Sequence, residues 1–429
     1  MTSLIKKVGI ILVVLFMMSA CSNNENEDKA KELEGTWNGQ IEVPKQPLPI
    51  TISFVNENKW TATISIPAQG LSDYPLTNVN IGEPDLYFQL KIQGQMMTFD
   101  GERKENKIEG IFTQGGQSVP FTLNKSKDRG EDKKEEEEEF LSVETDEVTM
   151  KGEIEIPDGD GPYPVVVIIP GSGPTNRDGN TPTVPGKNNS LKMLAEGLAS
   201  NGIASLRYDK RGVGKNQAAM IPEEDIRFDQ FVEDAKAWVQ RLAEDERFSQ
   251  VGVIGHSQGS LVGMLAAQES EASTFVSISG ASRSIDQVLY DQLKDGLPEE
   301  LLDEAETILA QLKKGERVDE VSPELQTTFR PSIQAFMSSW MQYNPAEEIQ
   351  QLDIPVLIIN GENDLQVPAS EAKKLKEAKK DAKLLLLEKM NHVLKDAPAD
   401  QAGNMETYSN PDIPLSEGLI EGITNFLRK

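Results

Sequence analysis

The alternation of hydrophobic and polar positions changes character along this chain. From about Leu33 to Asn124 its period is two. In WTATISI, Trp60, Ala62, Ile64 and Ile66 share one face, with Thr61, Thr63 and Ser65 opposite, the pattern of a half-buried strand. LPITISFV and LYFQLKI behave alike, and KIEGIFTQGGQSVPFTL reads as two strands around a Gly-Gly turn. Such strands, spaced by turn signals, predict a small antiparallel sandwich or barrel. From about Phe140 the pattern is different. PVVVIIP, Pro164 to Pro170, is a continuous apolar run, as expected of a strand buried on both faces. SLKMLAEGLASNG predicts a helix that starts at a Ser190 cap and stops at Gly202. A second helix places Phe231, Val232, Ala235, Trp238, Val239 and Leu242 on one stripe. VGVIG, FVSISG, PVLIING and KLLLLE supply further strands. Strands alternating with helices predict a mostly parallel sheet flanked by helices. Between Ser282 and Pro345 the alternation stops. Leu301, Leu302, Ala305, Ile308, Leu309 and Leu312 form one helical stripe, so this stretch is expected to be a helical cap inserted between two core strands. The aromatic residues of RPSIQAFMSSWMQYNP, Arg330 to Pro345, are expected in core packing, with the wall of a substrate pocket as the alternative.

The N-terminus carries a different signal. Lys6 and Lys7 precede an apolar run from Val8 to Met18. That run is shorter than the roughly 20 residues needed to span a bilayer and fits the hydrophobic region of a signal peptide. It ends in Met18-Ser19-Ala20-Cys21, which resembles a bacterial lipobox. The resemblance implies cleavage before Cys21, lipidation of its thiol, and an extracytoplasmic protein anchored to the bacterial cell membrane. The expected organisation is therefore a signal peptide and lipobox over 1–21, a polar tether over 22–32, and a β-rich domain over 33–124. A charged linker follows over 125–139 (KSKDRGEDKKEEEEE), then an α/β domain over 140–429 with its cap at about 282–345. GTWNGQI, at the start of the β-rich domain, resembles the Gly-x-Trp opening of lipocalin-like barrels. No catalytic constellation is visible in that domain; a spacer, a substrate-docking module and a dimerisation surface are all open, with a spacer the default.

Composition narrows the function. The formal net charge is −27 over 429 residues. Nucleic acid is thereby disfavoured as a partner, because phosphate binding needs clustered Lys and Arg. Cys21 is the one cysteine, so no intramolecular disulfide can form, and His256 and His392 are the two histidines. No cofactor and no metal site are expected from so few soft ligands.

The chemistry concentrates in a few loops. Gly255-His256-Ser257-Gln258-Gly259 is a G-x-S-x-G sequence that follows the apolar strand VGVI and precedes the helical pattern SLVGMLAAQ. That is the strand–turn–helix setting of a nucleophile elbow. A serine needs a base to take its proton. His256 adjoins Ser257 on the elbow and should point away, which leaves His392, in EKMNHVL after KLLLLE, as the expected base. The supporting acid should lie in the loop after PVLIING. Asp364 is the first choice, because its loop resembles the G-x-x-D loop of α/β-hydrolases, and Glu362 is the reserve. An oxyanion hole needs two backbone N–H groups. Gln258, after the nucleophile, would give one; Pro170-Gly171-Ser172-Gly173-Pro174 resembles the HGGG-type loop of α/β-hydrolases, with Pro170 in place of the His, and that resemblance implies Ser172 as the other, with Gly173 as a near alternative.

Together the elbow, the GSGP loop, YDKRGVGKN, GENDLQVP and MNHVLK resemble the α/β-hydrolase superfamily. Bacterial secreted carboxylesterases and serine aminopeptidase-like hydrolases are its nearest branches. GSGPTNRDGN is similar to one esterase subgroup, and the resemblance covers roughly Glu144 to Lys429. It implies the α/β-hydrolase fold and hydrolysis of small-molecule carboxylic esters through an acyl-enzyme, without a cofactor. Asp209 and Arg211 match the family's D-x-R-G turn, which implies a structural role beside the site, and Arg177 to Asn180 are expected to fix their loop by hydrogen bonds. Peptidase or thioesterase activity is the alternative within enzymes. A catalytically idle binding lipoprotein is the alternative of another class.

Overall fold

The computed structural model describes residues 33–43, 47–56, 59–66, 71–82, 84–92, 95–125, 139–145, 148–181, 186–294 and 296–428. Cys21 with its leader, the tether to residue 32 and nearly all of the charged linker lie outside the described residues. The chain divides into two compact units, Met1–Glu131 and Asp132–Lys429.

The first unit is an antiparallel meander of β1 (Gly35–Ile41), β2 (Leu48–Asn56), β3 (Trp60–Ile66), β4 (Leu71–Pro75), β5 (Thr77–Ile81), β6 (Asp85–Ile92), β7 (Gln95–Lys104), β8 (Lys107–Gln114) and β9 (Gln117–Lys125). Their spatial order is β4-β3-β2-β1-β9-β8-β7-β6-β5, so the two edge strands are consecutive in the chain. Period-two alternation explains the core. Ala62, Ile64 and Ile66 are buried from β3, and Phe54, Phe88, Phe99 and Phe121 are buried from their own strands. Phe88 stacks on Phe99 with centroids 4.9 Å apart. The hairpin between β8 and β9 turns at Gly115 (φ 57°) and Gly116 (φ 80°), because a two-residue turn of this kind needs positive φ at both positions.

The second unit contains β10 (Glu139–Thr145), β11 (Val148–Glu155), β12 (Tyr163–Ile169), β13 (Ala204–Tyr208), β14 (Phe248–His256), β15 (Thr274–Ile278), β16 (Val356–Gly361) and β17 (Lys383–Leu387). They form one sheet in the order β10-β11-β13-β12-β14-β15-β16-β17. β11 runs antiparallel to both its neighbours, and the ladders from β13 through β17 are parallel. The helices are α1 (Ser190–Ala199), α2 (Phe228–Ala243), α3 (Gln258–Gln268), α4 (Ile285–Lys294), α5 (Glu299–Lys313), α6 (Gln326–Phe329), α7 (Gln334–Trp340), α8 (Pro345–Glu348), α9 (Ala369–Ala378), α10 (Gln401–Glu406) and α11 (Leu419–Leu427).

β12 shows why a central strand is apolar throughout. Its side chains alternate between two helical layers. Val165, Val167 and Ile169 pack in the layer of Trp238, Val239 and Leu265, from α2 and α3. Val166 and Ile168 pack in the layer of Leu194, Leu198, Ile423 and Phe426, from α1 and α11. α1 begins at Ser190, but Ser190 is its first helical residue and not its cap. Asn189, at φ 53°, takes the cap position, but its Oδ1 accepts from Asn180 Nδ2 at 2.8 Å and not from the helix. Asn188 Oδ1 accepts the Ser190 N–H at 2.9 Å instead. Helices α4 to α8 occupy the chain between β15 and β16, around a core of Ala305, Ile308, Leu309, Leu312, Phe329 and Met337.

Candidate active site

The carboxyl ends of parallel strands are where an open α/β sheet presents loops to a ligand. β12, β14 and β16 each end here in a loop that carries an expected site residue. Ser257 stands between β14 and α3 with φ 55° and ψ −119°, a backbone conformation that costs roughly 1–3 kcal/mol for a residue with a side chain. The flanking glycines allow it. A Cβ on Gly255 would lie 2.1 Å from Gly259 O, and one on Gly259 would lie 2.4 Å from Ile169 O. No side chain larger than hydrogen fits at either position without moving backbone. The turn is held from below, where the Ser257 N–H donates to Ile278 O at 2.9 Å.

Asp364 and His392 meet. His392 Nδ1 lies 2.9 Å from Asp364 Oδ2 and 3.1 Å from Oδ1, and both side chains are buried. Asp364 Oδ1 also accepts the N–H groups of Gln366 and Val367, each at 2.9 Å. Burial alone would raise the Asp364 carboxyl. The facing imidazole and the Val367 N–H outweigh burial and hold it below the usual carboxylate range. A charged Asp364 keeps the proton of His392 on Nδ1 and leaves Nε2 as the acceptor. Glu362, the reserve acid, is exposed.

Ser172, Ser257 and Gln258 line one cavity of about 210 Å³, together with Gln366 and Val367 from the Asp364 loop. Ser257 Oγ makes no hydrogen bond to His392 among the described residues. In free enzymes such a contact is often long and tightens only around substrate. The Gln258 N–H, in the first turn of α3, has no partner within the helix. The Ser172 carbonyl is turned to Thr175 Oγ1 at 2.7 Å.

Buried ion pairs fix the loop that carries Ser172. Arg207, fully buried, pairs with Glu153 Oε1 at 2.5 Å and with Asp178. Arg177 pairs with Glu153 and with Asp209 Oδ2, the latter at 3.0 Å, and its N–H donates to Asp209 Oδ1 at 2.8 Å. Asn180 Oδ1 accepts the N–H groups of Asn188 and Asn189 at 2.9 and 3.0 Å. Arg211 is engaged elsewhere, with Asp234 Oδ2 and Thr145 Oγ1, each at 2.8 Å. These contacts are the loop-fixing bonds expected of Arg177 to Asn180 and of the D-x-R-G turn.

Sequence reasoning passed over two buried groups. His256 does more than avoid Ser257. Its Nε2 donates to the His392 carbonyl at 2.8 Å, so it pins the loop of the expected base. Burial and the neighbouring His392 push His256 down to about 4, so it is neutral at pH 7. Lys210, between Asp209 and Arg211, is buried with Nζ 2.9 Å from Gln258 Oε1. A charge in a D-K-R-G run reads as a solvated one, and nothing in the sequence marks it as internal.

Comparison with known proteins gives the family of the chain. A family model described as "Serine aminopeptidase, S33" matches residues 187–396. Esterase EstD of Thermotoga maritima is 31% identical over 319 residues, covering 73% of this chain and 73% of that protein. The chain belongs to the α/β-hydrolase superfamily. Two esterase structures align with this hydrolase at low similarity. Est1E from Butyrivibrio proteoclasticus gives a TM-score of 0.43 at 17% identity, covering 68% of this chain and 99% of that one. Esterase Pf2001 of Pyrococcus furiosus gives 0.42 at 18% identity, covering 68% and 92%.

Proposed function

We propose that this hydrolase is a carboxylesterase that works through an acyl-enzyme on Ser257, with His392 as base and Asp364 as its supporting acid. The observation that carries the reading is the 2.9 Å bond from His392 to a buried, charged Asp364, in loops beside a serine held on a strained turn at a cavity. In the proposed reaction His392 Nε2 takes the Ser257 proton as Oγ attacks the ester carbonyl. The oxyanion is held by the N–H groups of Ser172 and Gln258. The alkoxide then leaves as an alcohol with the proton from His392. Water, deprotonated by the same imidazole, attacks the acyl-enzyme, and collapse of the second tetrahedral intermediate returns Ser257 and a carboxylic acid.

The cavity supports a small ester. Its walls include Leu261, Val288, Leu289 and Trp340 beside the polar Arg283, Gln292 and Gln366, and among the described residues lining it there is no Asp or Glu. A substrate with a free amino terminus would find no carboxylate there to pair its ammonium, which favours an ester over an aminopeptidase substrate. Helices α4 to α8 act in this reading as the cap, since α4 and α7 give Val288, Leu289 and Trp340 to the wall. Trp340 also stacks on Phe228 of α2, with centroids 5.6 Å apart, so one side chain serves both packing and pocket. EstD, named as an esterase, is a relative at 31% identity, which also favours ester substrates. The leader and lipobox further support an extracytoplasmic lipoprotein held at the membrane through Cys21.

The test is turnover of short p-nitrophenyl esters by protein beginning at Ser22, with Ser257→Ala alongside. Wild-type turnover that vanishes in the variant is expected. Equal rates in both proteins would remove the proposal.

A further inference from the structure

Lys210 is a buried cation that the chemistry above does not use. It leaves the end of β13 and is 7% exposed. Among the described residues no carboxylate pairs with it. Its ammonium donates to Gln258 Oε1 at 2.9 Å and to the Gly173 carbonyl at 3.3 Å, and it lies 5.1 Å from the Phe231 ring centroid. Burial without a counter-charge pushes it down to about 7. Burying a cation on neutral acceptors alone is costly, and a well-packed apolar side chain would be the more stable choice.

The two acceptors explain the placement. Gln258 is the residue after the nucleophile, and Gly173 is in the loop of Ser172. These are the two segments that would supply the oxyanion N–H groups. One ammonium therefore joins two chain segments beyond the end of the ladder between β12 and β14, whose last pair is Ile169 and Gly255.

 The Gln258 amide shows the direction of control. With Oε1 turned to Lys210, its Nε2 is buried without a partner among the described residues. The opposite orientation would set an NH₂ donor against the ammonium, so Lys210 in its protonated form dictates the amide.

We propose that Lys210 is a positioning residue of the oxyanion hole, tying the Gln258 side chain to the Gly173 carbonyl so that the N–H groups of Ser172 and Gln258 converge on one oxygen. This rests on the reading of Ser257 as an esterase nucleophile. Loss of the tie weakens a contact that matters most in the transition state, so it lowers kcat and leaves ground-state binding largely intact. Removing one oxyanion donor outright costs about 10²–10³ in kcat. Loosening two without removing either is expected to cost about 10–100-fold.

The experiment compares wild type, Lys210→Met, Gln258→Met and the double variant on p-nitrophenyl butyrate. A trifluoromethyl ketone, whose hemiketal with Ser257 carries the oxyanion, serves as the second probe. The expected result is a kcat loss of about 10–100-fold in each single variant, with KM within about twofold and the inhibitor weakened in proportion to kcat. The double variant should lose little more than either single one, because both cut the same tie. Three results would overturn the proposal: kcat of Lys210→Met within about threefold of wild type, a change in KM with inhibitor affinity intact, or losses that multiply in the double variant. If Lys210→Met does not fold by circular dichroism, Gln258→Met decides alone, since it keeps both the cation and the backbone N–H. A wild-type chain that turns over no ester and is not labelled at Ser257 by a fluorophosphonate would remove the underlying esterase reading, and this inference with it. Wild-type turnover with an unaffected Lys210→Met would remove this inference only.

Discussion

Acid should destabilise the hydrolase unit through His256. The ring is buried against His392, its Nε2 donates to the His392 carbonyl at 2.8 Å, and its pKa falls from 6.5 to about 4. Burial is the main cause, followed by the neighbouring imidazole, while Asp364 opposes both. The unfolded chain binds a proton at this position below about 6.5. The folded chain resists it until about 4. Stability from the neutral, buried ring is thus fully present above about 6.5 and is lost as pH falls through that window. At 1.36 kcal/mol for each tenfold change in proton affinity, the full effect is about 3 kcal/mol, and about 2 kcal/mol is gone by pH ~5. Carboxylates and His392 also gain protons as the pH is lowered, so the assay must be differential. Urea unfolding of wild type and His256→Gln, followed by helical circular dichroism, isolates the ring, because α1 to α11 all belong to the second unit. The stability lost by wild type between pH 7 and pH ~5 should exceed that lost by the variant by about 2 kcal/mol. Parallel losses in the two proteins would refute the reasoning.

Two further outcomes follow from the same geometry and a third from the N-terminal sequence. Asp364→Asn should lower kcat by about 10³–10⁴-fold with folding intact, because the amide no longer favours the tautomer with the proton on Nδ1. Glu362→Gln, at an exposed position, should change kcat by less than about threefold; the reverse pattern would reassign the acid. Gly259→Ala should cost more than about 3 kcal/mol, or abolish soluble expression, since its Cβ would meet Ile169 O at 2.4 Å and Pro170 O at 2.6 Å; a folded, active variant measured by urea unfolding would show that the elbow relaxes. Cys21→Ala should yield unlipidated protein absent from the membrane fraction, and normal lipid labelling in that variant would remove the anchor.

Much of the site was legible because its demands are local. The glycines at 255 and 259 announce a crowded turn, and the apolar strand before them fixes its place. Asp364 is preferred over Glu362 because its loop resembles the family's G-x-x-D loop, and it is Asp364 that lies against His392. What the sequence hid depends on long-range packing. β13 lies outside β12 in the sheet, an order that hydrophobic runs alone do not encode. Lys210 and Arg207 look like surface charges in a chain with a net charge of −27, yet both are buried because distant segments supply their acceptors. Ser190 had the residue type of a helix cap, but Asn188 reached its N–H first. His256 is set aside as the base because it adjoins Ser257, while its bond to the His392 carbonyl required the fold.

The most direct test of the central claim is to treat the folded protein with a fluorophosphonate and locate the adduct by mass spectrometry. The account predicts one adduct, on Ser257, formed rapidly in wild type, slowly in His392→Ala, and prevented by an ester substrate in excess. Labelling at another residue, or the same rate with and without His392, would contradict it.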